Sequence, residues 1–441
     1  MRSEVIKSII GQGKLREKKI VRSFTALVGS EIVVRPFQIL KEITVARVLD
    51  PSDYGILKFV ELIQMLNKYG NLGIKPAVAR EVAHAIGRGD LKAAQVLKNT
   101  GYTCEASLAF LLFVICVMTA LFFDSRLVSS LIMLAALSLL AAKLRGIFNT
   151  EATIRRRFLL ISKVSVITSI VASLLTILTV PYLKIYAVLG MNILASALAI
   201  FLYLRYLQLE YRWTVNKKAF RQLLSIGFPL ILAGLGQGVF KYTERLLIIG
   251  MLGKIALGLY GFAFMVTNQF IVIFKTAIRV RTQDIYETMA KGDYQSVHRM
   301  VNKETALLLG FCILILVPTW YLIEISVPIL LPNWVDAILP AQLFLVLIPV
   351  QITSLYHEKV VISAPVNKQR VRPLGWVLAV GLLLISVYIL KRQGQLNLVN
   401  FISVNIASYA LYSFSILYLY KNYFYNPYIK SNCNQLNTTA G

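Results

Sequence analysis

Long apolar stretches separated by short polar segments dominate the sequence; the run Leu108–Val117, for example, contains only apolar residues. A bilayer's hydrocarbon core is about 30 Å thick, so a helix that crosses it needs about 20 mainly apolar residues. The pattern therefore predicts an all-α polytopic membrane protein with about twelve transmembrane helices. The predicted spans cover residues 24–46, 54–74, 102–123, 127–148, 159–180, 184–204, 222–249, 257–276, 304–326, 338–358, 373–390 and 398–420.

The composition excludes an ordinary soluble protein. Hydrophobic residues make up 57% of the chain and charged residues only 15%, whereas soluble domains carry about 25% charged residues. The formal charge of +26 is also typical of nucleic-acid-binding proteins, so the placement of the basic residues decides between the two classes.

Lysine and arginine concentrate at the N-terminus and in alternate predicted loops, namely 75–98, 143–163, 205–221, 275–303 and 359–372. The other loops contain only Arg47, Arg126, Lys184, Lys254, Lys391 and Arg392. Because basic loops stay on the cytoplasmic side, both termini are predicted to be cytoplasmic in an inner (cytoplasmic) membrane. The basic charge then serves orientation and attraction to anionic membrane lipids, and no nucleic-acid partner is expected.

Residues 5–24 alternate apolar side chains with lysines, which predicts an amphipathic helix lying in the membrane interface. We expect this segment to stay attached, because it has no uninterrupted apolar core and no small-residue cleavage site.

Catalytic and metal chemistry find little support in the sequence. The four cysteines lie far apart without a CxxC motif or a histidine cluster, so no metal site, disulfide framework or bound cofactor is expected. The longest predicted outer loop, about 324–338, offers only Glu324 and Asp336 as acidic residues, so no catalytic residue is assigned and the chain is not expected to be an enzyme.

The two halves of the chain resemble each other. Displacing the sequence so that Phe37 falls on Phe240 also places Leu49 on Leu252 and Gly89-Asp90 on Gly292-Asp293. Many transporters consist of two similar halves. We therefore predict two six-helix lobes, residues 1–212 with the amphipathic N-terminal segment and residues 213–441.

Charged residues recur inside the predicted spans, where each costs several kcal/mol unless it meets a partner or a water-filled cavity. In the first span, Glu31, Arg35, Gln38 and Glu42 lie along one side of a helix, with Lys41 at the flank. The seventh span repeats the pattern with Gln237, Lys241, Glu244 and Arg245, and the second adds Lys58, Glu61, Gln64 and Lys68.

Two interpretations fit these charges. In one, they form internal ion pairs, such as Glu31 with Arg35 or Lys241 with Glu244, that only hold helices together. In the other, they line a polar cavity whose cations receive an anionic substrate. The candidate substrate-binding residues are then Arg35, Lys41, Lys58, Lys241 and Arg245, and the candidate residues for holding these cations or for a coupling proton or sodium ion are Glu31, Glu42, Glu61 and Glu244.

Helix-breaking residues lie beside the same charges. Pro36 interrupts the first span, and Gly227, Pro229, Gly234 and Gly236 loosen the seventh. They are candidate hinges, although glycines also serve close helix packing.

Several short motifs carry a family resemblance. The stretch Ala46-Arg47-Val48-Leu49-Asp50-Pro51-Ser52-Asp53-Tyr54-Gly55 resembles the turn between the first two spans of the oligosaccharide (Wzx-like) flippases of the MOP superfamily, which also contains the MATE exporters. Gly227-Phe228-Pro229-Leu230, Gly258–Gly261 and Pro332–Ala337 are also similar to that family.

The resemblance implies a MOP/MATE-like fold and a flippase that moves a polyprenyl-pyrophosphate-linked oligosaccharide across the cytoplasmic membrane by alternating access. Its implied role is cell-surface polysaccharide assembly, such as that of O-antigen. Its expected partners are membrane lipids, the lipid-linked oligosaccharide, and a polysaccharide polymerase with glycosyltransferases.

Three alternatives stay open. A cation-coupled multidrug exporter would share the fold but favours an acidic or aromatic cavity. A membrane glycosyltransferase or polymerase would need catalytic residues on a large loop. A scaffold without transport activity would leave the charged helix faces unexplained.

Overall fold

The structure is a computed structural model, and it describes residues 29–30, 32–207, 211–290, 293–363 and 372–422. Over these ranges the chain forms helices joined by short turns, and the described residues contain no strand. The amphipathic segment predicted over residues 5–24 lies outside the described residues.

Thirteen α-helices follow one another along the described chain. Those of the first half are α1 (32–48), α2 (Pro51–Tyr69), α3 (Ile74–Gly87), α4 (Leu91–Ala120), α5 (Arg126–Ile154), α6 (Phe158–Leu183) and α7 (Ile185–Tyr206). Those of the second half are α8 (Lys217–Met251), α9 (Gly253–Ala290), α10 (Tyr294–Leu330), α11 (Ile338–Ser363), α12 (Arg372–Arg392) and α13 (Leu398–Tyr420), with a 3-10 turn at Pro332–Ala337 before α11.

Every predicted span falls largely on a helix. Among the described residues, 9 helices are long and apolar enough to cross a membrane, and they lie in α4 to α7 and α9 to α13. The helices α1, α2 and α8, which carry the charges predicted to lie inside the membrane, do not meet that criterion. The chain is a multi-pass membrane protein, and the full count of twelve crossings in two six-helix bundles stays a prediction.

Large apolar side chains face outward along these helices. Leu178 of α6 is 65% exposed and Ile329 of α10 is 74% exposed. Such surfaces are rare on soluble monomers and suit contact with lipid tails.

The helices extend beyond the predicted spans. α4 begins at Leu91 rather than near residue 102, and α5 continues to Ile154 rather than ending near 148. Much of the predicted loops 75–98 and 143–163 is therefore helical, a difference whose cause lies in buried ion pairs described below.

The aspartate of the repeated Gly-Asp pair has the same structural role in both copies. The side chain of Asp90 accepts a hydrogen bond from the backbone N–H of Ala93 and caps α4, at φ −87° and ψ 79°. Asp293 accepts from the N–H of Ser296 and caps α10 at φ −86° and ψ 76°, and these hydrogen bonds hold its pKa below the ordinary value. The two aspartates therefore share one capping geometry at matching positions, and the internal repeat stays a prediction.

Two compact units form the chain, one built from residues up to Val48 with Val60–Ile231, the other from Leu49–Phe59 with the residues after Leu232. In the first unit, α5 packs against both α4 and α7, and α6 packs against α7. In the second, α11 packs against α9, α10 and α13. The division into lobes at residue 212 stays a prediction.

The motif at the start of α2 makes a close helix crossing within the second unit. A side chain on Gly55 would meet the backbone carbonyl of Lys254, and one on Gly258 would meet that of Pro51. Tyr54 packs edge-on against Trp334, with ring centroids 5.2 Å apart. The glycines therefore let the N-terminal turns of α2 and α9 approach backbone to backbone.

Candidate functional site

Two cations of α8 lie over one aromatic ring in the second unit. The Nζ atom of Lys241 is 5.5 Å from the centre of the Phe264 ring, and the Cζ atom of Arg245 is 5.7 Å from it. Arg245 is buried, with 8% of its surface exposed. Cation–π contacts of this length contribute about 0.5–2 kcal/mol, the larger value when the pair is desolvated. The structure thus brings together two of the predicted substrate-binding residues.

Glu244, on the same helix, is the most enclosed of the predicted acidic residues that the structure describes. Its side chain is 1% exposed, and the Asn405 amide of α13 donates a hydrogen bond of 2.8 Å to its Oε2 atom. Tyr260 of α9 is also buried beside it, and Lys241 and Arg245 interact with it electrostatically. Among the described atoms, neither the Asn405 Oδ1 atom nor the Tyr260 hydroxyl finds a hydrogen-bond partner. A carboxylate, an amide and a phenol therefore lie together in a buried place, and the hydrogen bond from Asn405 to Glu244 joins two of them.

Lys58 is held against α9 in the same unit. Its Nζ atom lies 4.6 Å from the centre of the Tyr54 ring, and its aliphatic stem covers the surface that Gly261 leaves open. A side chain at position 261 would collide with that stem. The ammonium group is therefore placed by its own motif residue, Tyr54, on the same helix.

The predicted residues of α1 and α2 in the first unit are less enclosed. Lys41 and Glu42 form an ion pair of 3.0 Å, with side chains 22% and 24% exposed. Arg35 and Glu61 are half-buried. Glu31 lies outside the described residues. The Lys41–Glu42 ion pair fits the interpretation in which these charges form internal ion pairs.

The predicted hinge residues differ in their surroundings. A side chain on Gly227 would lie 2.5 Å from the carbonyl oxygen of Gly73, and one on Gly236 would lie 2.6 Å from the Cβ atom of Trp376. Gly234 has open space around it, and Pro36 is exposed within a continuous helix. For Pro229 only the helical backbone is described. Gly227 and Gly236 thus sit at close contacts, and the hinge role of all five residues stays a prediction.

A buried ionic network in the first unit was not predicted. Glu151 of α5 is 1% exposed and receives hydrogen bonds from the Tyr102 hydroxyl at 2.8 Å and from the Arg155 Nε atom at 2.6 Å. Lys98 of α4 lies 3.5 Å from the same carboxylate. The predicted loops 75–98 and 143–163 contain Lys98, Glu151 and Arg155. The i, i+4 spacing of Glu151 and Arg155 was the one signal for a helix there.

A second charged cluster lies close by on the same two helices. Glu105 of α4 is 3% exposed and interacts electrostatically with Lys75 of α3 and Lys143 of α5. Lys143 is 1% exposed, and its Nζ atom has no hydrogen-bond partner among the described atoms. Gly146 makes room for the Lys75 ammonium, which a side chain there would meet at 2.9 Å. Glu105 and Lys143 lie within the predicted spans, whereas the Lys98–Glu151 ion pair lies where α4 and α5 continue beyond them.

The described residues include no group of three or more His, Cys, Asp or Glu side chains that could hold a metal ion. The cysteines Cys104, Cys116 and Cys312 are free thiols.

Comparison with known proteins agrees with this architecture. A family model described as "Polysaccharide biosynthesis protein" matches residues 44–338. No curated protein matches the sequence significantly.

Several solved structures share the fold at low sequence identity. A point mutant of the Vibrio cholerae MATE transporter VcmN matches with a TM-score of 0.62 at 13% identity, over 93% of this chain and 97% of that one. A MOP superfamily transporter from Pyrococcus furiosus matches with a TM-score of 0.59 at 13% identity, over 90% and 94% of the two chains. The eukaryotic MATE transporter AtDTX14 gives 0.62 at 13% identity, over 92% and 96%. These likenesses show the MATE-like fold.

Proposed function

The chain belongs to the polysaccharide biosynthesis protein family, and from this premise we propose that it moves a polyprenyl-pyrophosphate-linked oligosaccharide from the cytoplasmic to the outer leaflet of the inner membrane. The resemblance to MOP superfamily flippases read from the motifs is confirmed by the family match and by the fold of the solved structures. The movement proceeds by alternating access of two lobes, and it supplies cell-surface polysaccharide assembly, such as that of O-antigen.

The placement of Lys241 and Arg245 carries this proposal. A diphosphate in a membrane protein must exchange its hydration shell for cations and hydrogen-bond donors. The arginine guanidinium is always charged and can hold two phosphate oxygens at once, while the lysine ammonium acts as a point charge. Phe264 lies under both groups, and its ring face attracts cations but carries no net charge. Two cations beside the single carboxylate of Glu244 leave a net positive charge for the substrate. Lys58 of the second unit is a further candidate for this anion, and Arg35 and Lys41 of the first unit stay candidate substrate-binding cations.

Glu244 is the proposed site of the coupling ion. Its buried carboxylate, with the amide oxygen of Asn405 and the hydroxyl of Tyr260, offers oxygen atoms that suit either a sodium ion or a proton on the carboxylate. Glu42 and Glu61 are the other candidates among the described residues for holding the cations or a coupling ion. Under this proposal the gradient of that ion drives the movement, and the protein itself needs no bound cofactor.

The proposed setting follows from the charge pattern. Both termini face the cytoplasm, anionic lipids contact the basic cytoplasmic ends of the helices, and the polymerase and glycosyltransferases that make and use the glycan are the protein partners.

Single substitutions of the two cations test the proposal. Replacement of Arg245 or Lys241 by glutamine should lower glycan export at least tenfold, because one charge–phosphate contact is removed, and the double variant should lose export altogether. Export is measured as surface glycan on intact cells, together with accumulation of the lipid-linked precursor inside. Membrane abundance is measured by immunoblotting in parallel.

The matched control is Lys391→Gln, which removes an exposed cation of the same unit at the end of α12 and should leave export unchanged. Normal export by both single variants and by their combination would exclude α8 as the substrate-binding element.

A multidrug exporter is the second candidate, because the solved structures with this fold include multidrug MATE transporters. The cationic pair on α8 disfavours it, since cationic drugs would be repelled there. Expression in a drug-sensitive host distinguishes the two candidates: increased resistance to cationic drugs without any effect on glycan export would favour the exporter.

A further inference from the structure

A small polar cavity of about 170 Å³ lies inside the first unit, where α2, α5 and α7 meet. Its polar lining consists of the side chains of Gln64, Ser138, Arg145, Asn192 and Ser196. Leu139, Ala142 and Ala195 complete the wall, and the two alanines leave the space open. None of the interactions described above involves this cavity.

The lining residues repeat at helical spacing. Ser138, Ala142 and Arg145 follow one face of α5, and Asn192 and Ser196 lie one turn apart on α7. Lys143, by contrast, projects from α5 toward Glu105 and Lys75, as shown by their electrostatic interaction. The helix α5 therefore carries two separate polar faces, one closed by an acidic partner and one open to the cavity.

Arg145 is the cationic residue among the side chains that line this cavity. Within the described part of the chain its guanidinium makes no hydrogen bond and no ion pair, and the neighbouring titratable group is the Tyr203 phenol. Gln64 donates to the Ser138 hydroxyl at 3.4 Å, so these two groups bridge one edge of the cavity without reaching Arg145. An arginine within a membrane-spanning helix keeps its charge, and such charges are normally paired or face a water-filled path for substrate or ions.

We propose that this cavity binds the carboxylate of an acidic sugar in the transported glycan, with Arg145 as its cationic partner. One guanidinium matches one carboxylate through two parallel hydrogen bonds, whereas a diphosphate calls for more than one cation. The two amides and two hydroxyls are neutral donors and acceptors of the kind that sugar hydroxyl groups need. The volume is below the roughly 300 Å³ at which pockets for drug-sized ligands begin, so it fits one sugar ring or part of it. This inference rests on the proposed function, since it names a chemical group of the same substrate.

Binding by the purified full-length protein in nanodiscs tests the inference. The probes are methyl β-glucuronide, its neutral counterpart methyl β-glucoside, and inorganic phosphate, followed by saturation-transfer NMR at low ionic strength. The wild type should bind the glucuronide and not the glucoside, and Arg145→Gln should weaken glucuronide binding at least tenfold. The control is Arg126→Gln, which removes an exposed arginine at the other end of the same helix and should bind as the wild type does.

Thermal unfolding separates a binding role from a structural one. Because Arg145 has no described partner, Arg145→Gln should leave the Tm unchanged or raise it, while an arginine that stabilises the fold would lower it on removal. Asn192→Ala and Ser196→Ala keep the charge and should still weaken glucuronide binding severalfold, which keeps the inference testable if the arginine variant does not fold.

Equal glucuronide binding by the wild type and Arg145→Gln, no binding of the glucuronide, or Arg145-dependent binding of phosphate alone would overturn the inference. These outcomes leave the test of Lys241 and Arg245 untouched. Conversely, unchanged export in the α8 variants would reject the proposed function while Arg145-dependent glucuronide binding still stood.

Discussion

Single glycines in α8 differ in what surrounds them, and this difference separates packing from bending. Gly227 touches the backbone of Gly73, a residue at φ +75° in the turn before α3, and Gly236 lies against Trp376. Only Gly234 among these three has free space around it. A bend in the helix during transport would therefore be absorbed most easily at Gly234, since the other two are fixed by their neighbours.

We predict opposite results for alanine at positions 227 and 234. Gly227→Ala should lower the Tm and the membrane abundance, because its methyl group overlaps the Gly73 carbonyl. Gly234→Ala should keep or raise the Tm, since alanine favours a helix by about 1 kcal/mol over glycine, and it should reduce export at least threefold if the helix bends there. The measurements are thermal unfolding in detergent and glycan export in cells.

Wild-type export by Gly234→Ala would assign the glycines of α8 to packing alone. A stable, fully active Gly227→Ala would show instead that the backbone contact at Gly73 relaxes without cost.

Pairs of helices, rather than single helices, determine where charge is tolerated in this protein. Glu151 on α5 accepts a hydrogen bond from Tyr102 and forms an ion pair with Lys98, both on α4. Glu244 on α8 accepts a hydrogen bond from Asn405 on α13. In the first case several partners satisfy the carboxylate, which stabilises the pair of helices. In the second, the Asn405 Oδ1 atom and the Tyr260 hydroxyl have no hydrogen-bond partner among the described atoms, which leaves them available to the coupling ion proposed above.

The contact between α8 and α13 leads to a prediction about Glu244→Gln. The neutral amide has nearly the same volume and is easier to bury, but Lys241 and the buried Arg245 lose a negative neighbour. Because these effects oppose each other, the Tm should change little. Export should fall at least tenfold, because glutamine neither takes up a proton nor offers a second carboxylate oxygen to sodium. Glu324→Gln removes an exposed acid of the same unit and is the matched control.

Export is best measured in membrane vesicles with an imposed sodium or pH gradient, which also identifies the ion. If Glu244→Gln vesicles respond to both gradients as the wild type does, Glu244 is a structural residue.

The sequence predicted the helices better than it predicted their ends. Apolar runs located α4 to α7 and α9 to α13, since lipid imposes a length and a composition on each crossing helix. It placed Lys98 and Glu151 in loops, because a hydropathy pattern ends where charges begin and does not show that these two charges are paired across helices. Lys241, Glu244 and Arg245 were predicted together because their spacing on one helix is visible in the sequence, whereas their neighbours Asn405 and Phe264 come from distant segments.

Arg145 is another residue whose surroundings the sequence did not predict. It was counted with the basic loop at 143–163, yet it lines a cavity together with Gln64 and Asn192, which are far from it in the chain. Gln64 is one of the polar residues predicted inside the second span. Only the packing of α2, α5 and α7 brings the three together.

The orientation of the whole molecule in the membrane rests on its basic residues and can be tested directly. In a variant in which all four cysteines are replaced by alanine, Lys254→Cys should react with a membrane-impermeant maleimide on intact cells, because it lies in a turn predicted to face outward. Lys217→Cys, at the start of α8, should react only after permeabilisation, and both positions are exposed in the structure. Export by each variant controls for native folding, and Leu178→Cys, which faces the lipid on α6, should react in neither condition. Labelling of Lys217→Cys on intact cells with Lys254→Cys protected would invert the topology, and the cations of α8 would then have to be assigned to a substrate entering from the opposite side.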